Sequence, residues 1–581
     1  MSPTSEMRLN SCSSSASAGV SGIKAKSRIL VIFALAIYVL ALTRIISCHG
    51  IYSPAIDEPP TLAAGIELLD TGHYRLETLH PPLARVLSAL GPYANGLRFT
   101  GGDSLWQEGA KLYRTQLPRQ KTAALARLGN LLPFTMATLI VGLWAYQCQG
   151  IWASIAATYL FTALPPILGH SSIATLDISC AAFTAAALFS LQTWLENSSP
   201  ANSALLGLAT GLAVLSKFSA IGFLGVAFIF FLALNVASWN CPRRFTEYLR
   251  AWGLVALFCG ITIWAGYDFS FHPLKPLSDR SQRLLEAVLG PKGDASSLTW
   301  PLVESIPIPA PEFVDGVLQV QARNQEGHLN VVRGGMRSEG WLFFYPLRLL
   351  LKTPIAFLSF AVAGMIFILL GRHGNSKKIK PSFYPLLGAI AILDVGMLSN
   401  INNGLRQLLA IYPLLSVVAG IGCARLWKEG GRSRIGSILT IALLGWQTVS
   451  TVCTYPDYLS YFNECAGNRP ERFAADSDID WAQDLELMVA TLKRLGADDV
   501  GISVRTGVIE LEEFDLPTWH HLESNSQREG WIAVSAYKLM LAEAENPDNQ
   551  YTWLSQHQPT ERIGKSILIY HIGKEPNSKD E

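Results

Sequence analysis

The feature that most constrains this chain is the recurrence of apolar stretches about 20 residues long, separated by segments rich in charge, proline and glycine. A helix that crosses a bilayer needs that length because in hydrocarbon its backbone has to satisfy its own hydrogen bonds. Eleven stretches qualify, near 29–47, 125–146, 151–168, 178–195, 203–217, 219–238, 251–268, 345–370, 383–399, 407–425 and 436–454. The expected fold class is therefore a polytopic α-helical membrane protein. Composition agrees, since only 16% of the 581 residues are charged, against roughly a quarter in soluble domains. The formal charge of +1 leaves no overall field to recruit nucleic acid.

The connections carry the orientation. Basic loops tend to stay cytoplasmic. Eleven crossings from a cytoplasmic N-terminal tail (1–28) put Arg243/Arg244/Arg250, Arg372/Lys377/Lys378/Lys380 and Arg425/Lys428/Arg432/Arg434 on that same side. The larger segments 48–124, 269–344 and 455–581 then fall outside the cytoplasm. The transmembrane domain is expected over 29–454. The tail from 455 mixes a helix-like run (Asp484 to Leu495) with strand-like runs (Val500 to Val504, Ser566 to His571), which predicts a small α/β domain. The nine cysteines lie mostly in or beside apolar segments with no CxxC pair, which argues against a disulfide framework or a zinc site.

The polar residues at the predicted outer helix ends are the functional candidates. Asp57-Glu58-Pro59-Pro60 follows the first apolar stretch, and one acid there reads equally as the cap of a helix that begins at Pro59. Gly72-His73-Tyr74 and His80-Pro81-Pro82-Leu83 come next, and the second Pro-Pro starts an amphipathic helix through Ala84–Leu97. Asp177 opens a later helix; an ionisable group at membrane depth is a functional candidate, with a helix cap as the plainer reading. Arg85, Arg127, Lys217, Lys352 and Arg406 lie near outer helix ends, where the plain reading is snorkelling to headgroups. Asp480–Asp484 is expected to be a capped helix start.

The order of these motifs resembles the protein O-mannosyltransferase and aminoarabinose transferase group, the C-type membrane glycosyltransferases. The resemblance continues through Ala126-Arg127-Leu128, His170-Ser171-Ser172-Ile173-Ala174-Thr175-Leu176-Asp177, Leu215-Ser216-Lys217-Phe218 and Leu351-Lys352-Thr353-Pro354. Tyr461-Phe462-Asn463-Glu464 followed by Asp480-Trp481-Ala482-Gln483-Asp484 is similar to a bacterial subgroup, which suits a bacterial inner membrane. Two departures stand out: Arg406-Gln407 where relatives usually show Arg-His, and Asp478-Ile479-Asp480-Trp481-Ala482-Gln483 where they show Asn-x-Asp-Trp-Gly-Gln.

The resemblance implies transfer of a sugar from a polyprenyl-phosphate donor to an extracytoplasmic glycan, lipid or protein. It implies Asp57 as the base that takes the acceptor's proton, Glu58 as its orienting neighbour, and inversion in one displacement. Lys217, Arg406, Arg85 and Lys352 are the expected donor-phosphate ligands. Asp177, His80 and His170 are expected at the metal or acceptor side; they could hold a divalent cation, though no spacing demands one. Two other readings stay open on sequence alone: a transporter or flippase, for which no internal repeat is found, and a noncatalytic envelope assembly protein.

Overall fold

The computed structural model describes residues 30–236, 245–274, 278–292, 299–332, 335–371, 380–467, 469–473, 476–523, 527–545 and 551–573. The N-terminal tail, Arg243, Arg244, Arg372, Lys377 and Lys378 lie outside the described residues.

Each of the eleven apolar stretches coincides with a helix or a bent pair of helices. Among the described residues, five helices are able to cross a membrane by length and composition: Leu30–Cys48, Arg119–Gln149, Asp177–Glu196, Thr246–Gly266 and Ile435–Cys453. The number is seven if each of two bent pairs is one span. Three apolar helices, Pro200–Ser216, Ser219–Asn235 and Phe383–Met397, are shorter. Two stretches expected as continuous are broken. Ile151–Thr162 turns by 61° into Pro165–Ser171, and Phe344–Lys352 turns by 115° into Ile355–Leu370. Pro165 and Pro354 stand at the breaks, where the missing N–H and the restriction on the preceding residue end a helix.

Helix Asp177–Glu196 is the most enclosed of the five long apolar helices. Around it the bundle packs through small residues that let backbones approach. A Cβ on Gly364 would stand 2.0 Å from the Val418 carbonyl oxygen, and one on Gly422 would stand 2.1 Å from that of Phe360. Helices Ile355–Leu370 and Ile411–Ser433 therefore touch along glycine.

Short helices Glu58–Thr71, Leu83–Ala94 and Leu105–Arg114 build the first intervening segment. At the chain's far end lies a five-stranded sheet in the order Trp519–His521, Val500–Ser503, Gly530–Ser535, Ile567–Ile572, Glu561–Ile563. Its first three strands run parallel and its last pairings are antiparallel. Ile502, Ile532, Val534 and Ile569 are fully buried in it. The segments 48–124, 269–344 and 455–581 meet one another: Arg114 pairs with Glu513 at 2.6 Å, Arg119 with Glu486 at 2.8 Å, and the Thr78 hydroxyl donates to Asp315.

Candidate active site

Two adjacent acids take opposite environments. Glu58 is completely buried. Arg127 grips it bidentately, Nε to Oε1 at 2.8 Å and the second nitrogen to Oε2 at 2.7 Å. The backbone N–H groups of Ala174 and Ala55 each donate to Glu58 at 2.7 Å. Arg127 spends its remaining donors on the carbonyls of His49, Tyr52 and Ser53, at 2.6, 3.0 and 2.9 Å. Every strong hydrogen-bonding direction of the pair is used, so Glu58 fixes the turn 53–57 from below.

Asp57, one residue earlier, stands at the N-cap position of helix Glu58–Thr71, but its side chain caps nothing. It is 31% exposed, and Oδ2 accepts from Arg406 at 2.6 Å. Its other oxygen has no hydrogen bond among the described residues. Arg406 lies over the Trp481 ring at 4.3 Å, and His170 meets the same ring edge-on at 6.1 Å. In the amide orientation that satisfies its neighbours, Asn403 accepts from Arg406 at 2.8 Å and donates to Asp476 at 2.7 Å. Asp476 in turn takes Arg505 at 2.5 Å.

Behind Trp481 lies the second carboxylate. Asp177 is the first residue of its helix rather than a cap, and Lys217 reaches it at 2.7 Å. His170 Nδ1 stands 3.9 Å from the same carboxylate, too far for a hydrogen bond. The contacts Asp57–Arg406–Trp481–His170–Asp177–Lys217 are thus continuous and gather five of the residues singled out from sequence. Among the described residues no group of three or more His, Cys, Asp or Glu side chains is arranged to hold a metal ion. At Asp177 the counter-charge is supplied by Lys217.

The other expected cations are placed differently. Arg85 is buried and bound to Glu77 at 2.5 Å, with its Nε and one terminal nitrogen lacking partners among the described residues. Burial would raise the Glu77 carboxyl, but Arg85 and His80 outweigh it and hold it well below the usual range. His80 shares Glu77 at 3.4 Å and feels the charge of Lys217. Lys352 is enclosed: it is 1% exposed and donates to the carbonyls of Leu459 (2.8 Å) and Asp478, beside the Asp478 carboxylate at 3.6 Å. These contacts tie the chain after the last long helix to the bundle.

Asp480–Asp484 leads into a helix as the sequence suggests, Leu485–Arg494, but without a side-chain cap. Asp484 occupies an N-cap position, yet its side chain makes no cap bond; it accepts from Ser566 and, at 2.7 Å, from Gln483. The segment instead lines the Asp57 turn: Ser53 N–H donates to the Gln483 carbonyl at 2.8 Å, Ile56 N–H to the Trp481 carbonyl at 3.1 Å, and Glu486 N–H to the Ser53 hydroxyl at 2.7 Å. Sequence reasoning missed the part of Trp481, Asn403 and Asp476. Trp481 alone carried a signal, lying inside a motif of the resemblance.

Comparison with known proteins follows this geometry. Residues 72–265 match the model of the dolichyl-phosphate-mannose-protein mannosyltransferase family, a span that contains His80, Arg85, Arg127, His170, Asp177 and Lys217 and begins after Asp57. The protein O-mannosyltransferase Pmt1-Pmt2 complex of S. cerevisiae, bound to the sugar donor, has a similar fold: 10% identity, TM-score 0.52, 73% of this chain and 89% of that one. ArnT from Cupriavidus metallidurans bound to undecaprenyl phosphate aligns with 12% identity and TM-score 0.48 over 92% of this chain and 97% of that chain. No curated protein matches by sequence.

Proposed function

We propose that this chain, a multi-pass membrane glycosyltransferase of the protein O-mannosyltransferase type, transfers a sugar with inversion from a polyprenyl-phosphate donor to an extracytoplasmic acceptor, with Asp57 as the base. The observation that carries the reading is the contrast within the acid pair. Glu58 is sealed, whereas Asp57 is partly exposed, with one oxygen on Arg406 and the other uncommitted. The matched family is named for transfer from dolichyl phosphate mannose, a polyprenyl-phosphate sugar. In such a transfer the acceptor's oxygen or nitrogen attacks the anomeric carbon while its proton passes to a carboxylate, and phosphate departs as a stable anion without a strong acid. Asp177 and Lys217, with His170, form the second wall, where the sugar or the acceptor is oriented.

The same reading includes eleven crossings over 29–454, a cytoplasmic N-terminus, an extracytoplasmic domain over 455–581 and a bacterial inner membrane. Mutual packing of the three intervening segments supports their lying on one side.

The test is release of free polyprenyl phosphate when purified protein meets a panel of polyprenyl-phosphate sugars. Release by wild type that vanishes in Asp57→Asn supports the assignment and identifies the donor. Release that persists unchanged in Asp57→Asn removes Asp57 from the mechanism.

A further inference from the structure

Arg406 sits in one turn of 3-10 helix, Leu405–Leu408, a unit too short to fix a side chain by itself. The stretch from Asp476 to Trp481 supplies what the turn lacks. Asp478, 3% exposed, accepts the Leu405 N–H on Oδ1 at 2.9 Å, one residue before Arg406. The Ser477 hydroxyl donates to the Asn403 carbonyl at 3.3 Å. Gly404 has a φ of +74°, and a Cβ there would stand 2.5 Å from the Ser477 hydroxyl oxygen, so the two stretches meet with no room for a side chain. Farther along, Trp481 lies against the Arg406 guanidinium, and Asp476 holds the Asn403 amide that accepts from Arg406.

Asp478 is itself held by two cations of helix Phe344–Lys352. Arg348 Nε stands 3.2 Å from its Oδ2 and Lys352 Nζ 3.6 Å from its Oδ1, and Lys352 also donates to the Asp478 carbonyl. The carboxylate therefore does two separable things. Its charge answers Arg348 and Lys352 away from water, where an unanswered charge is costly. Its Oδ1 takes the N–H that opens the turn, a backbone donor with no partner within the helix.

We propose that Asp478 is a positioning residue of the transfer: through Leu405 it sets the turn so that Arg406 reaches Asp57. This rests on the reading of Asp57 as the base. Enclosed by Leu405, Arg348 and Lys352, Asp478 acts through Arg406 and exchanges no proton. Without its Oδ1 the Leu405 N–H is left unmet, the turn loosens, and Arg406 leaves its 2.6 Å contact with Asp57. Asp57 meanwhile stays on its own turn, which Glu58 props through the Ala55 N–H.

The test compares full-length wild type, Asp478→Asn and Asp478→Ala in nanodiscs by two measurements. Asn keeps an oxygen for Leu405 and drops the charge; Ala drops both. The first measurement, labelling of arginine by phenylglyoxal read at Arg406 by peptide mass spectrometry, needs no substrate. Arg406 is expected to react about tenfold faster or more in Asp478→Ala and within about twofold of wild type in Asp478→Asn, although both variants strand Arg348 and lose thermal midpoint alike. The second is release of polyprenyl phosphate from the panel of polyprenyl-phosphate sugars. There kcat is expected to fall about tenfold or more in Asp478→Ala at unchanged KM, and less than about threefold in Asp478→Asn. Arg406→Ala/Asp478→Ala is expected to be no slower than Arg406→Ala alone, since the two residues act as one. Equal labelling of Arg406 in wild type and Asp478→Ala overturns the proposal. So does an equal loss of kcat in Asn and Ala, which would leave Asp478 a charge partner only. If Asp478→Ala does not fold, Arg348→Met/Asp478→Ala, which strands one cation fewer, takes its place with the same outcomes. A wild type that releases nothing from any of these donors counts against the donor class, while the labelling still decides Asp478.

Discussion

Glu58 and Asp57 differ by one position in sequence and by a whole environment in space, and the difference is made by Arg127. A buried ion pair contributes little net stability, but removing one partner strands the other charge without water. Arg127→Met is accordingly expected to cost about 3–5 kcal/mol, read as a large drop in thermal midpoint in detergent, and to release the 53–57 turn. The Asp177–Lys217 pair obeys the same rule. Lys217→Met is expected to destabilise more than the double variant Lys217→Met/Asp177→Asn, which restores the midpoint but not the activity; a double variant no more stable than the single would contradict the pairing. At this scale Asp57, Asp177 and Lys217 were legible from the sequence, because ionisable groups beside apolar stretches are conspicuous.

Among elements, the site depends on helices that approach at glycine. Gly65 lies on helix Glu58–Thr71 against helix Leu83–Ala94, and a Cβ there would meet the Arg85 carbonyl oxygen at 2.2 Å. Backbone does not yield as a side-chain tip does. Gly65→Ala is therefore expected to push the two helices apart, cost about 1–3 kcal/mol, and lower transfer by shifting Asp57 relative to Arg85. Normal activity and thermal midpoint in that variant would count against so close a crossing. Hydropathy located the long helices because the bilayer imposes length and apolarity on each. It did not show the 115° break after Lys352, since both halves are apolar and only Thr353-Pro354 marks the bend. Nor did it show that Asp480–Asp484 meets the Asp57 turn, since a pairing across more than 400 residues leaves no local pattern.

Over the whole molecule, two buried acids of the segment after residue 455 set how stability responds to pH. Burial pushes the Asp484 carboxyl up to about 8 and that of Asp480 to about 6, against opposition from Ser566 and Arg505 respectively. In the unfolded chain an aspartate gives up its proton near a pH of about 3.9. Between those limits the folded state binds more protons than the unfolded one, so stability falls as pH rises and levels off above about 8. Thermal midpoints are expected to decline from mildly acidic to mildly alkaline buffer, and Asp484→Asn is expected to flatten most of that slope. An Asp484→Asn profile with the same slope as wild type would remove Asp484 as the source of the decline.

The hydrogen bonds from Ser53 and Ile56 to Gln483 and Trp481 also bear on the order of synthesis. Ribosomes make the Asp57 turn early and its backbone partners only after every long helix of the bundle. A nascent chain arrested before residue 478 carries Asp57 but neither Trp481 beneath Arg406 nor the backbone that props the turn. The site is thus expected to stay incomplete until translation of about the last fifth of the chain is finished.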